Sequence, residues 1–193
     1  YNTPGAGQTT VIDPTGLNLT TANTYETQGA PGSFLRQTSK NLPGNPVGNP
    51  SFTYSYYGAT ETRDNPCTEG TTEAHRQAGF LKVKTEADPD GTGTQTGRAT
   101  ETIYDDAGRV VATRYNTENW TCTTYDNRGR VAQTHVQEYN GASDRTITND
   151  YAYTGNPLQT ATYDENGWII TTTDLLGRTV SYMDVYGNWT GYE

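Results

Sequence analysis

The chain has 193 residues and a formal net charge of −9, an acidic balance that excludes a phosphate-backbone ligand, because such binding relies on clustered Lys and Arg. Leu, Ile, Val and Phe supply roughly an eighth of the residues, too few for a thick core, yet fifteen Tyr, three Trp and only 18% charged residues argue against disorder. Tyr, Trp and Thr suit a pleated, half-wet surface, so extended sheet is expected in place of a helical bundle.

In chain order, Asp13-Pro14-Thr15-Gly16-Leu17 is the first turn signal. Ser33 to Lys40 and Ser51 to Tyr57 read as strands, on either side of a Pro/Gly/Asn connector from Asn41 to Pro50. From Arg63 to Gly97 the pattern breaks, and this stretch reads as an insertion. Within it, Thr71 to Gly79 fits a short helix, with a Thr cap before the first turn and Gly just past the last. Phe80 to Thr85 then reads as a strand. Asp88-Pro89-Asp90-Gly91-Thr92-Gly93 is a turn-rich loop in which Asp88 and Asp90 are weak calcium candidates, because hard cations take carboxylate and carbonyl oxygens on tight turns. The third acidic ligand and the distal Glu of such loops are missing.

From Thr102 onward a unit repeats. Tyr104-Asp105-Asp106-Ala107-Gly108-Arg109-Val110 is followed by Tyr125-Asp126-Asn127-Arg128-Gly129-Arg130-Val131, then by weaker copies at Tyr163-Asp164-Glu165-Asn166-Gly167-Trp168, Asp174-Leu175-Leu176-Gly177-Arg178 and Asp184-Val185-Tyr186-Gly187-Asn188. Each copy reads as a hairpin turn: Asp accepts hydrogen bonds from the next amides, the middle pair bends, and Gly takes the positive φ that closes the turn. Asn140-Gly141 is a further two-residue turn signal. The strands between run over Arg109 to Tyr115, Asn119 to Tyr125, Arg130 to Tyr139, Asp144 to Tyr153, Pro157 to Tyr163 and Arg178 to Asp184. In Trp120 to Tyr125 neither face is purely apolar, so cross-strand pairs and a thin core are expected to hold the sheet. The expected fold is all-β, a meandering antiparallel sheet of hairpins with one short helix in the insertion. Residues 1–101 form a degenerate β segment and 102–193 the clear repeats, together one continuous unit.

Cys67 and Cys122 are the only cysteines. A disulfide between them would close a loop of about 55 residues and add on the order of 4 kcal/mol, and it would imply export. Two free buried thiols, or a metal site with His75 and His135, are the alternatives. No apolar run reaches the roughly 18 residues of a membrane span, so no membrane insertion is expected. The first residue is Tyr1 and no leader is visible, so the chain reads as a processed product or a segment of a longer polypeptide.

The residues Tyr104-Asp105-x-x-Gly108-Arg109-Val110 and Tyr125-Asp126-x-x-Gly129-Arg130-Val131, with their relics, resemble the RHS/YD-repeat family. The match is clearest from Thr102 to Glu193. The segment Ser51 to Asn65, with Cys67 and Trp120 to Thr124, looks like RHS proteins of actinobacterial type. The resemblance implies a strip of β-sheet that curls into a large hollow shell around a C-terminal cargo, as in bacterial polymorphic toxins, insecticidal toxin complexes and teneurins. For this chain it implies a share of a secreted or cell-surface bacterial wall, without chemistry or cofactor of its own. Its partners would be further repeats of the same polypeptide, or copies of itself joined edge to edge as a filament. Asp13 to Leu17 is superficially similar to an Asp-Pro-x-Gly-Leu motif of that family's self-cleaving protease, but it lies at the wrong end and reads as a turn.

Catalytic readings lack a constellation. The carboxylate pairs Asp105/Asp106, Asp164/Glu165 and Asp88/Asp90 sit at turns, and neither histidine lies near a nucleophile signature. Asn18-Leu19-Thr20, Asn119-Trp120-Thr121 and Asn188-Trp189-Thr190 match the N-glycosylation triplet, which arises by chance in Thr-rich sequence. A carbohydrate-binding aromatic platform remains a further alternative.

Overall fold

The computed structural model describes residues 8–12, 16, 19–43, 51–89, 94–137 and 143–192. The Asp13–Leu17 turn apart from Gly16, the connector after Pro43, Asp90 with its loop, Asn140-Gly141 and Asn18 lie outside the described residues. The fold is all-β, and the chain divides into two compact units, Tyr1–Glu118 and Asn119–Glu193.

The first unit contains β1 (Gln8–Ile12), β2 (Leu19–Tyr25), β3 (Gln37–Asn41), β4 (Phe52–Tyr56), β5 (Thr62–Arg63), β6 (His75–Arg76), β7 (Leu81–Glu86), β8 (Ala99–Tyr104) and β9 (Val110–Tyr115). Its sheet runs β1-β2-β3-β4-β7-β8-β9, and β5 and β6 pair separately. Every pairing is antiparallel. The second unit contains β10 (Thr121–Tyr125), β11 (Val131–Val136), β12 (Arg145–Asp150), a 3₁₀ turn (Tyr153–Gly155), β13 (Gln159–Asp164), β14 (Gly167–Thr173), β15 (Thr179–Met183) and β16 (Trp189–Gly191). These strands follow one another in space as in sequence, all antiparallel. The Thr, Tyr and Val content of these segments explains the choice of strand.

The expected short helix over Thr71 to Gly79 does not form. Residues 71–74 are irregular, and His75–Arg76 is a two-residue strand paired with Thr62–Arg63. Two amides of this segment are engaged elsewhere. The Glu73 N–H donates to Asp64 Oδ1 at 2.6 Å, and Gly79, at φ +84°, donates its N–H to the Tyr57 carbonyl. The excursion from the main sheet lies between β4 and β7, so Leu81–Glu86 and Ala99–Tyr104 are full members of that sheet.

The core is thin, as a Tyr/Thr-rich sheet with few aliphatics dictates. Tyr57, Ile103, Val111 and Ala112 form the buried apolar set of the first unit. Ala161 and Ile170, cross-strand partners on β13 and β14, are buried in the second. Ring contacts supplement this burial: Phe80 stacks on Tyr104 at 4.6 Å and Tyr163 on Trp168 at 4.0 Å. Cations also lie over rings, Arg36 over Tyr56, Lys84 over Phe52 and Arg130 over Tyr151.

Candidate functional site

The feature that recurs is a carboxylate-centred turn. In the β8–β9 hairpin, Gly108 N–H donates to the Asp105 carbonyl and Asp105 N–H to the Arg109 carbonyl, each at 2.9 Å. Asp105 Oδ1 accepts from the Ala107 and Arg109 amides, while Oδ2 accepts from Arg109 Nε at 2.8 Å and Nη2 at 2.7 Å. Gly108 sits at φ +76°, the left-handed conformation that closes such a turn without a Cβ penalty. The same set of bonds recurs at Asp126, Gly129 and Arg130, and again at Asp174, Gly177 and Arg178.

Asp184 repeats it with one change, Asn188 Nδ2 donating to Oδ2 at 3.0 Å where the others use arginine. The amide of the Asn188-Trp189-Thr190 triplet is thereby engaged in holding a turn.

Asp164 departs from the pattern. Its hairpin is a two-residue turn in which Asp164 faces Gly167 directly, and its Oδ2 takes Arg145 of the neighbouring strand β12 at 2.7 Å. The expectation that Gly167 supplies a positive φ is corrected here. Gly167 is not among the positive-φ glycines, and its requirement is space: a Cβ would lie 3.1 Å from the Val185 carbonyl oxygen.

These bonds set the carboxyl affinities. Burial alone would raise Asp105, but hydrogen bonds from the Arg109 amide and guanidinium outweigh it and hold the carboxyl below its usual value. Asp126 and Asp174 are lowered first by the amides of Arg130 and Arg178, then by their guanidinium groups. Asp164 is lowered by the Asn166 amide and then Arg145, and Asp184 by the side chain and amide of Asn188.

A second regularity accompanies the Asp105, Asp126 and Asp174 turns. The register slips by one residue between Ile103 and Tyr104, between Thr124 and Tyr125, and between Thr172 and Thr173. It slips at the equivalent place in β2–β3, between Thr24 and Tyr25, and in β4–β7, between Ser55 and Tyr56. Upstream, therefore, the unit persists with enlarged turns. Glu26 takes the Asp role, with its N–H on the Arg36 carbonyl at 2.9 Å and its carboxylate gripped by the Arg36 guanidinium and by the Phe34 and Arg36 amides. Arg36 holds the Glu26 carboxyl down at about 2. Tyr57 and Phe80 occupy the equivalent closing pair, Tyr57 N–H donating to the Phe80 carbonyl at 2.9 Å, with residues 58–79 as the turn.

That long turn folds onto the β8–β9 hairpin. The Tyr57 hydroxyl donates to the Thr102 carbonyl at 2.7 Å, and burial pushes its phenol up to about 12. Arg63 reaches Glu101 at 2.9 Å, which Arg114 also grips at 2.7 Å. His75 and the Arg76 amide meet Asp106. Phe80 presses on Gly108 so closely that a Cβ there would sit 2.9 Å from its ring.

Of the expected site residues, both cysteines are disulfide-bonded, and the chain holds only Cys67 and Cys122, so they pair with each other. This removes the free-thiol and thiolate-metal alternatives. The two histidines are separately engaged, His75 by Glu73 and Asp106 and His135 by Asp144. Among the described residues no group of three or more His, Cys, Asp or Glu side chains is placed to hold a metal, and Asp88 belongs to none. Gln77, Glu26, Arg36 and Arg145 lie outside the repeated motif. Tyr25-Glu26 preceding an arginine was the available signal for the second and third. Among the described residues no helix is long and apolar enough to cross a membrane. Comparison with protein-family models and with curated proteins returned no match.

Proposed function

We propose that this chain is a non-enzymatic structural segment of an extracellular RHS/YD-type repeat protein, forming part of a β-sheet wall. The observation that carries this reading is the recurrence of one turn-and-bulge unit at β2–β3, β4–β7, β8–β9, β10–β11 and β14–β15. Each bulge adds local twist and bend. In an antiparallel meander the β2–β3, β4–β7 and β8–β9 turns lie at the same end of the strands, so their bends reinforce one another within that sheet. The turn carboxylates Asp105, Asp126 and Asp174 are spent on amides and arginines of their own turns, and Asp164 and Asp106 on groups of neighbouring segments, which supports a structural role. The disulfide supports export.

The deciding experiment is to sequence the parent gene on both sides of this segment. Further Tyr-Asp-x-x-Gly-Arg units flanking it are expected. A parent without any others would overturn the reading.

Self-association through sheet edges is a second reading, supported by β16. Among the described residues it pairs only with β15; it begins with half-exposed Trp189 and is flanked by half-exposed Tyr192 and by Tyr186, 87% exposed. Sedimentation velocity over a concentration series tests it: growth into large species supports a filament, and a constant monomer excludes one.

A further inference from the structure

The long turn between β4 and β7 carries a histidine set between two carboxylates that belong to different parts of the first unit. His75 Nε2 lies 3.0 Å from Glu73 Oε2, within the excursion, and Nδ1 lies 3.2 Å from Asp106 Oδ2, on the tip of the β8–β9 turn. The imidazole is 18% exposed. Beside it the Arg76 N–H donates to the other oxygen of Asp106 at 3.2 Å.

We propose that His75 is a proton-operated latch that fastens the 58–79 excursion to the Asp105–Gly108 turn, tight when the imidazole carries both protons and slack when it carries one. A neutral imidazole has a single N–H, so with two flanking carboxylates one ring nitrogen must present its lone pair to an oxygen. The doubly protonated ring donates to both.

The other charged groups around the ring are already committed. Arg63, opposite His75 on β5, is held by Glu101 of β8. Asp64 accepts the Glu73 amide, and Asp105 is held by Arg109. The Glu73 hydrogen bond, followed by that of Asp106, raises the His75 pKa against the opposing effect of burial. Asp106 is itself lowered, by the Arg76 amide and then by His75, so it stays ionised in mild acid.

The sign follows from a raised folded pKa. The latch contributes fully below the unfolded histidine value of 6.5 and is lost as pH rises through the folded value. The foot of the excursion stays anchored by Gln77 and by Arg63, so release loosens residues 71–76 and frees the tip of the turn.

The test uses the full, disulfide-bonded chain carrying His135→Gln, so that one histidine signal remains. NMR titration of the imidazole is read together with hydrogen exchange of the Arg76 amide, corrected for intrinsic rates. A midpoint above 6.5 is expected, with Arg76 protection falling on the alkaline side by up to about tenfold for each unit by which the midpoint is raised. Asp106→Asn lowers the midpoint and flattens the exchange profile, and His75→Gln flattens it as well. A midpoint at or below 6.5, a pH-independent Arg76 amide in the parent chain, or an unchanged profile in Asp106→Asn would each overturn the latch. The titration and Asp106→Asn carry the test even if His75→Gln fails to fold.

Discussion

Gln77 and Tyr104 pair as two strand residues would, although only Tyr104 contributes its backbone. The Gln77 side-chain amide donates Nε2–H to the Tyr104 carbonyl at 2.7 Å and accepts the Tyr104 N–H on Oε1 at 2.9 Å. Strand β7 begins only at Leu81, so the amide of a residue with 0% exposure takes the place of the missing backbone. Gln77→Ala leaves both part-buried Tyr104 groups unpaired, at a cost on the order of 2–4 kcal/mol. Gln77→Glu keeps the shape but replaces the donor with an oxygen facing two carbonyls, those of Tyr104 and His75. It should be at least as damaging as Ala at neutral pH. Denaturant midpoints of both variants check this, and a loss below about 1 kcal/mol for Gln77→Ala contradicts the pairing.

Glycines of one sequence motif should differ in cost. Gly177, at φ +80° with open space around it, meets only the left-handed penalty on Gly177→Ala, about 1–2 kcal/mol. Gly108 has the same conformation, and an added methyl also meets the Phe80 ring, so Gly108→Ala should cost clearly more. In a Phe80→Ala background the extra part disappears while the conformational part stays. Equal losses at the two glycines, measured by thermal melting, would deny the contact.

The turn copies from Asp105 to Asn188 were legible because each closes within five residues, where side-chain chemistry and spacing coincide. The enlarged turns were not, since Glu26 and Arg36 stand ten residues apart and Tyr57 and Phe80 farther still. The helix signal over Thr71 to Gly79 misleads for a related reason. Ser/Thr caps and a left-handed Gly serve irregular turns as well as helices, and the donors here are taken by Asp64 and Tyr57, distant in sequence. Gln77 carries no local signal, because its role is set by where β7 begins. Asp164 has the sequence of another turn of the same kind, while its arginine comes from the adjacent strand.

Acid should loosen the molecule in a defined window. Glu26 has a folded pKa of about 2 against an ordinary value of 4.5. The stability it contributes is therefore present above pH 4.5 and is lost as pH falls from 4.5 to about 2. The lowered turn aspartates act in the same direction. Melting temperatures are expected to hold from neutrality to about pH 5 and then fall steeply, with Glu26→Gln less stable at neutral pH and less sensitive to acid. An unchanged acid profile in that variant would remove Glu26 from the account.

Reduction of the Cys67–Cys122 bond releases a loop of about 55 residues, a loss on the order of 4 kcal/mol in a fold with a thin core. Cys67→Ser with Cys122→Ser should lower the melting temperature to the value of the reduced parent. Cys122 is itself 6% exposed, so Cys122→Ala is the better isostere where Ser leaves a buried hydroxyl unpaired. A reduced parent that melts with the oxidised one would show that the link adds nothing.

The Asp184 turn offers a gain-of-stability test. Its Oδ2 receives one N–H from Asn188 at 3.0 Å, where Asp105, Asp126 and Asp174 each receive two from an arginine. The backbone of the turn is otherwise the same, with Gly187 at φ +83°. The guanidinium of Arg178 serves its aspartate from the surface, 74% exposed, so an arginine at 188 needs no cavity. Asn188→Arg should therefore restore the two-pronged grip, raising the melting temperature modestly and slowing exchange of the Tyr186 and Asn188-position amides that Asp184 accepts. Asn188→Lys supplies a point charge without the planar fork and should gain less. Asn188→Ala, which removes the bond, should fall below the parent by less than Asp184→Ala, which removes every bond the carboxylate makes. If Arg and Ala at 188 melt alike, the guanidinium is not what closes these turns, and the backbone bonds and glycine suffice.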